Sequence, residues 1–327
     1  MFTLETLLRM AKEVDASDIH LSAGCPVMAR VDGYLNCIIQ EKCTQQNLEQ
    51  FARTLMSENQ SKEFANRSQL DFSYGLPGVG RCRINVFRQR GSIGFVIHFI
   101  PFDVPDLRSL KLPMEISSFT TLKKGLVLVA GTAGSGKSTT LAALISEINQ
   151  NRVCNILTIE DPIEYLHHHQ KSIVNQREIG SDVLSVSDAL LAIVHQDPDI
   201  IFLNEISNAT IMSKVLNLIE LGYLVFSSLP THSVIQSIQY MVELYPPEQQ
   251  PQIRAQLAAN LEGIVAQQLH PKRGGNGRAV ATETLVTTNA IRDLIRDGHF
   301  KNISNILKAN KQTMEDAIQE LVKNEVI

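Results

Sequence analysis

Between Gly131 and Ser138 the chain reads GTAGSGKS, which fits the phosphate-binding pattern G-x-x-x-x-G-K-[ST] in full. Each residue type has a task at that spacing. The loop residues Gly134, Ser135 and Gly136 let successive backbone N–H groups turn inward around a phosphate. Lys137 supplies a point charge for the β- and γ-oxygens of a nucleotide, and Ser138 a hydroxyl for Mg2+. A helix starting at the loop adds its positive end. A chance Gly-rich turn would not need a strand before it and a helix after it. Here the apolar run GLVLVAG precedes the loop and STTLAALISEINQ follows it.

Carboxylates stand where such a site would use them. TIEDPIEY places Glu160 and Asp161 just past a second apolar run, and DIIFLNE ends a third on Glu205. Ligands of an open parallel sheet bind at the carboxyl ends of its strands. Glu205 suits a group that orients water or steadies Mg2+ through its shell. The same residues have plainer uses: Glu160–Asp161 as a helix N-cap before Pro162, and Glu205 as a solvated strand end. Earlier, RCRINVFRQR alternates, so Arg81 and Arg83 share one strand face and Cys82 and Ile84 the other. Two guanidinium groups on one face suit an anion, although solvent alone would also suit them. The three consecutive residues His167–His169 cannot all face one ion from a regular strand or helix.

These groups need a scaffold, and the chain divides into two patterns. Leu4, Leu7, Leu8, Ala11 and Val14, with Phe2, predict a first helix closed by Asp15–Asp18. A short strand, a hairpin around Asp32–Gly33, a polar helix near 45–66 and two or three alternating strands complete residues 1–100 as an α+β unit. PFDVPDLRSLKLP, residues 101–113, has three prolines and no period, and reads as a linker. From 114 to 327, apolar strands alternating with helices predict a parallel sheet covered on both faces. After Ser233 the pattern reads as mostly helical. In that stretch Ile253, Leu257, Leu261, Ile264 and Val265 fit the core face of one helix. The fold class is α/β.

Thirty basic against 34 acidic residues, a net charge of −4, give no basic stripe for nucleic acid. Five scattered cysteines without a CxxC pair indicate neither a disulfide framework nor a zinc knuckle, and point to reduced cytosol. The amphipathic start lacks a signal-peptide pattern, and no apolar run approaches a membrane span.

Taken together, the motifs resemble the secretion ATPases that power type IV pili and type II secretion, over nearly the whole chain. ASDIHLSAG, RVDGYL, TIEDPIEYLH, NQREIG, QDPDIIFLNE and AIRDLIRDG resemble the pilus-retraction branch, the PilT/PilU type. NQREIG, IVAQQL and the short tail QTMEDAIQELVKNEVI lean toward PilU. The extension ATPases of the superfamily carry a tetracysteine zinc site, which this chain lacks. The resemblance implies a PAS-like N-terminal domain and a RecA-like P-loop ATPase domain with a helical C-terminal region. It implies a homo-hexamer that binds ATP and Mg2+, and that works with an inner-membrane pilus platform protein and a paralogous retraction ATPase. The expected location is cytoplasmic, peripheral at the inner-membrane pilus base. By position, Gly134, Gly136, Lys137, Ser138 and Thr139 fall on the phosphate and Mg2+ residues. Glu160 and Asp161 fall in the Asp box, with Glu160 supporting Mg2+. Glu205 falls on the Walker B glutamate, and Arg81 and Arg83 on arginines that reach a neighbouring subunit's γ-phosphate.

One region departs from the family pattern. The usual glycine before the Walker B glutamate is Asn204, and the two His-box histidines are Tyr223 and Pro230, with His232 two residues on. Arginines are expected at His195 and His98, and an aspartate–arginine pair at Gln239–Tyr240. The groups that grip ATP are intact. The expected outcome is a protein that binds Mg-ATP and hydrolyses it slowly alone, since one lost stabilising donor typically costs about 3–4 kcal/mol of barrier.

Overall fold

Two units, Met1–Phe102 and Asp103–Ile327, account for the two sequence patterns in a computed structural model that describes residues 3–14, 16–31, 34–76, 80–100, 104–273 and 277–327. Phe2, Asp15, the Asp32–Gly33 turn and linker residues 101–103 lie outside the described residues.

The first unit opens with α1 (Leu4–Glu13), capped by the Thr3 hydroxyl and burying Leu4, Leu7, Leu8 and Ala11. Val14 does not extend that stripe. It is the C-cap, with non-helical backbone angles, and is 41% exposed. Strands β1 (Asp18–Leu21), β2 (Pro26–Val31) and β3 (Tyr34–Lys42) follow. The expected single helix over 45–66 is two helices, α2 (Gln45–Leu55) and α3 (Glu58–Arg67). Met56 between them is extended, and Ser57 with Gln60 forms a capping box that starts the second helix afresh. Strands β4 (Gln69–Leu76), β5 (Gly80–Gln89) and β6 (Ser92–Ile100) complete an antiparallel sheet ordered β3-β2-β1-β6-β5-β4.

In the second unit a 3-10 turn (Met114–Thr121) leads to β7 (Gly125–Ala130) and α4 (Lys137–Asn151). Then come β8 (Asn155–Glu160), β9 (Ile173–Glu178), α5 (Val186–Ala192), β10 (Ile200–Leu203), α6 (Ala209–Glu220), β11 (Leu224–Leu229), α7 (Val234–Glu243) and α8 (Gln250–Asn260). The chain ends with β12 (Leu261–Pro271), β13 (Arg278–Val286), α9 (Asn289–Asp297), α10 (Phe300–Ala309) and α11 (Met314–Lys323). The sheet order is β13-β12-β7-β11-β10-β8-β9, parallel except for β13 against β12. Apolar clusters cover both faces, so β7, β10 and β11 are buried at every residue. A strand buried on two faces reads as an unbroken apolar run, which is why these three were visible in the sequence.

The expectation of a mostly helical chain after Ser233 is corrected by β12 and β13. Ile253, Leu257, Leu261, Ile264 and Val265 are all core, but the helix stops at Asn260 and the last three belong to a strand. Residues Gly263 to Gln267 are buried in succession, which an amphipathic helix cannot do and a central strand can. Gly263 also admits no side chain, because a Cβ there would collide with the Phe119 ring.

Candidate active site

The end of β7 runs straight into the loop, and α4 begins at Lys137. Gly136 is its N-cap at φ +90°, in the left-handed region that disfavours other residues, and a Cβ there would sit 3.0 Å from Gln267 Nε2. At Gly131 a Cβ would collide with the Ser135 side chain and the Gln267 carbonyl. The loop is thus pressed onto β12. Gln267 Nε2 donates to the Ser135 carbonyl at 2.8 Å, and its Oε1 accepts from Thr140 Oγ1 at 3.0 Å. Gln267 lies on the strand that the sequence concealed, so its part in holding the loop was not foreseen.

The start of α4 differs from its neighbours. Helices α5, α6 and α7 each have a Ser or Asn side chain capping the first turn, whereas α4 has none. Its first-turn N–H groups face the concave side of a glycine loop, which suits an anion. Ser135 Oγ is buried without a hydrogen-bond partner, a polar group that a phosphate oxygen would satisfy.

Side chains converge on that point. Lys137 Nζ donates to the carbonyls of Gly131 (2.7 Å) and Thr132 (3.2 Å). Burial pulls its ammonium below the ordinary lysine value, while the Glu205 and Glu164 carboxylates oppose the shift. Ser138 Oγ donates to Glu164 Oε1 at 2.8 Å, and the Thr139 and Tyr165 hydroxyls are hydrogen-bonded at 2.8 Å. Glu205 stands half-buried just past the end of β10, close enough to Lys137 for its charge to be felt.

Glu160 and Asp161 divide differently from expectation. No helix follows Asp161, so the N-cap alternative does not arise. Asp161 is exposed, and its carbonyl accepts from Asn204 Nδ2 at 3.2 Å. Glu160 is buried under the loop, accepting from Thr158 Oγ1 (2.6 Å) and Gln176 Nε2 (3.0 Å). Burial pushes its carboxyl up to about 7 despite those bonds. Glu160 shares a small cavity with Ser138, Glu164 and Asn204, yet the carboxylate that touches Ser138 belongs to Glu164. Three residues separate the two acids, and their order on the turn is not set by strand alternation.

Arg81 and Arg83 belong to the first unit. On β5 they face away from the core while Cys82 and Ile84 are buried, as the alternation predicts. Arg83 Nε lies 3.4 Å from Asp71 Oδ1. His98 on the neighbouring strand pairs with Asp18 at 2.8 Å. Burial would raise the Asp18 carboxyl, but hydrogen bonds from His98 and Ser17 outweigh it and hold it low.

Other singled-out residues take structural places. His169 Nδ1 accepts from the Val174 N–H at 3.0 Å, and burial lowers His167 to about 4. Among the described residues no group of three or more His, Cys, Asp or Glu could hold a metal ion. Arg292 donates to the carbonyls of Ala258, Ala259 and Leu261 and pairs with Glu262 at 2.9 Å, closing the end of α8. Arg296 on the same helix is exposed and pairs with Asp293.

The chain is similar to known proteins over nearly its whole length. Residues 109–326 match the family model described as type II/IV secretion system protein. The chain is 37% identical to the type IV pilus retractation ATPase PilT of Pseudomonas aeruginosa, over 98% of this chain and 94% of that protein. It is 34% identical to the type IV pilus ATPase PilU of the same organism, over 97% of this chain and 84% of that protein. These two values do not separate the PilU lean from PilT. A crystal structure of the pilus retraction motor PilT with bound ADP superposes with a TM-score of 0.92 at 40% identity, covering 100% of this chain and 95% of that one.

Proposed function

The chain belongs to the type II/IV secretion system protein family, and on that premise we propose that it is a P-loop ATPase acting as a motor subunit in type IV pilus retraction. The observation that carries the reading is the convergence on one loop of Lys137, Ser138, Glu164 and Glu205 beside an uncapped helix start. In this reading Gly134, Ser135, Gly136 and Thr139 grip the phosphates of ATP, and Lys137 exchanges its two loop carbonyls for phosphate oxygens. A bound Mg-triphosphate supplies the leaving group and the charge to be neutralised. Ser138 and Glu164 hold the Mg2+ side of the site, with Glu160 beneath them and Asp161 at the rim. Glu205 orients the attacking water. The first unit is the PAS-like domain, and its Arg81 and Arg83 serve a neighbouring subunit of a homo-hexamer as arginine fingers. The ring docks on an inner-membrane platform protein from the cytoplasmic side, next to a paralogous retraction ATPase. No helix among the described residues is long and apolar enough to cross a membrane.

A second reading, an accessory subunit with slow turnover, is favoured by the segment after β11. There His232 is exposed and its backbone N–H only closes the turn before α7, while the Tyr240 hydroxyl reaches the Ser207 carbonyl at 3.5 Å. Neither group is engaged with Lys137 or Ser138. Steady-state ATP hydrolysis by the purified chain, with and without the paralogue, together with pilus retraction in a deletion strain, tests both. Motor function predicts turnover alone and loss of retraction on deletion. An accessory role predicts turnover only beside the paralogue. Retraction unchanged by the deletion would contradict both.

A further inference from the structure

A second cavity adjoins the phosphate loop. It measures about 370 Å³, within the usual range for ligand pockets of roughly 300–1,000 Å³. Gly136, Thr139 and Thr140 form its inner end, so it is continuous with the first turn of α4. Three separate segments supply its apolar walls. Leu110 and Leu112 come from the stretch before the 3-10 turn, Leu269 and Val280 from the β12–β13 hairpin, and Leu321 and Val326 from α11 and the residues after it. All six are half-buried. Lys272 and Arg278 form a basic rim, and Arg278 Nη1 reaches the Gly134 carbonyl at 3.3 Å. An apolar slot with a basic rim, opening beside a phosphate cradle, suits a flat heteroaromatic base whose phosphates lie in the loop.

The tail is strapped across this slot rather than trailing from it. The Val326 N–H bonds back to the Leu321 carbonyl at 2.9 Å, and the Val326 carbonyl accepts from the Arg273 N–H at 2.8 Å. Arg273 and Glu325 are 3.7 Å apart. Yet α11 buries none of its residues fully and packs mainly on β13. A helix so lightly held gains stability from any ligand that completes its contacts.

We infer that α11 and the residues after it form one wall of the nucleotide-base site, so that a bound base clamps the C-terminal segment against the hairpin. This inference rests on the phosphate-loop reading and extends it to a segment more than 170 residues beyond the loop in sequence. It makes the C-terminal helix an element whose docking reports whether a nucleotide is held.

Two ligands separate the base from the phosphates: ADP, and inorganic tripolyphosphate, which has no base. In the full-length chain, Leu321→Ala combined with Val326→Ala weakens ADP about tenfold, the size expected for trimming part of an apolar wall. Tripolyphosphate binding stays within about twofold, since the phosphate contacts are untouched. In the unsubstituted protein, amide exchange in α11 slows on adding ADP and is unchanged by tripolyphosphate. Lys137→Ala weakens both ligands. ADP affinity unaltered in the double variant, or α11 exchange indifferent to ADP, overturns the inference while leaving the loop reading intact. An unsubstituted protein that binds neither ligand overturns the loop reading itself, and this inference with it.

Discussion

Two groups of residues in the second unit, the phosphate loop and the segments around β11, are built to different standards. At the phosphate loop, Gln267 ties the backbone to β12, Lys137 and Ser138 have named partners within 2.8 Å, and the charges of Glu205 and Glu164 act on the lysine. Around β11, where the resemblance leads one to expect histidines, Tyr223 stands before the strand and Pro230 after it, beside Gly131, whose N–H donates to the Leu229 carbonyl at 3.1 Å. The nearby His232 is exposed there, and Gln239 faces solvent. On the proposed roles, holding a nucleotide and spending it rest on separate residues, so one can be retained while the other is weakened. A phosphate loop can be made by local backbone geometry and a helix start, whereas sensing the γ-phosphate requires side chains delivered from distant elements.

Substitutions can break or sharpen that contrast. The largest effect is expected for Glu205→Gln, which removes the carboxylate proposed to orient water and leaves the phosphate loop intact. Turnover falls about 10²- to 10³-fold while ADP affinity, measured by calorimetry, changes little. Equal loss of both would mean that the two functions are not separable. Next is the buried acid beneath the loop. The Glu160 carboxyl is raised from 4.5 to about 7, so the folded protein keeps a proton that the unfolded chain releases over that interval. Stability therefore falls as pH rises from about 4.5 to about 7 and levels off above. Glu160→Gln removes this slope, and urea unfolding at pH 5 and pH 8 should show the variant gaining on the natural protein by up to about 3 kcal/mol. A constant difference across pH would show that Glu160 is not the titrating group. Smaller again is the restoring pair Tyr223→His with Pro230→His, expected to raise turnover about tenfold, as for a modest gain in transition-state contacts. No change there would place the limit at other residues.

The parts of the fold legible in the sequence were those whose causes are local. The strands β7, β10 and β11 are buried on both faces and read as apolar runs, and the alternation of Arg81 to Ile84 gave their two faces correctly. The loop was legible because its glycines, lysine and hydroxyl are contiguous. The misreadings came from non-local causes. Leu257 and Leu261 satisfy a helical period, and only pairing with Leu126 of β7 makes the second of them a strand residue. Strand β9 is polar along IVNQRE because it lies at the sheet edge. Gln267 holds Thr140 from 127 positions away, which no spacing rule connects. Glu164 lay inside a quoted motif, but its preference over Glu160 for the Ser138 hydroxyl depends on how the turn after β8 folds.

The central claim is that this loop holds a nucleotide whose hydrolysis the chain performs. Phosphate release from ATP by the purified protein, compared with Lys137→Ala under identical conditions, tests it most directly. The account predicts a measurable rate that falls at least about 10²-fold in the variant, together with loss of ADP binding. A rate unaffected by the substitution, or an unsubstituted protein that neither binds ADP nor releases phosphate, would contradict it.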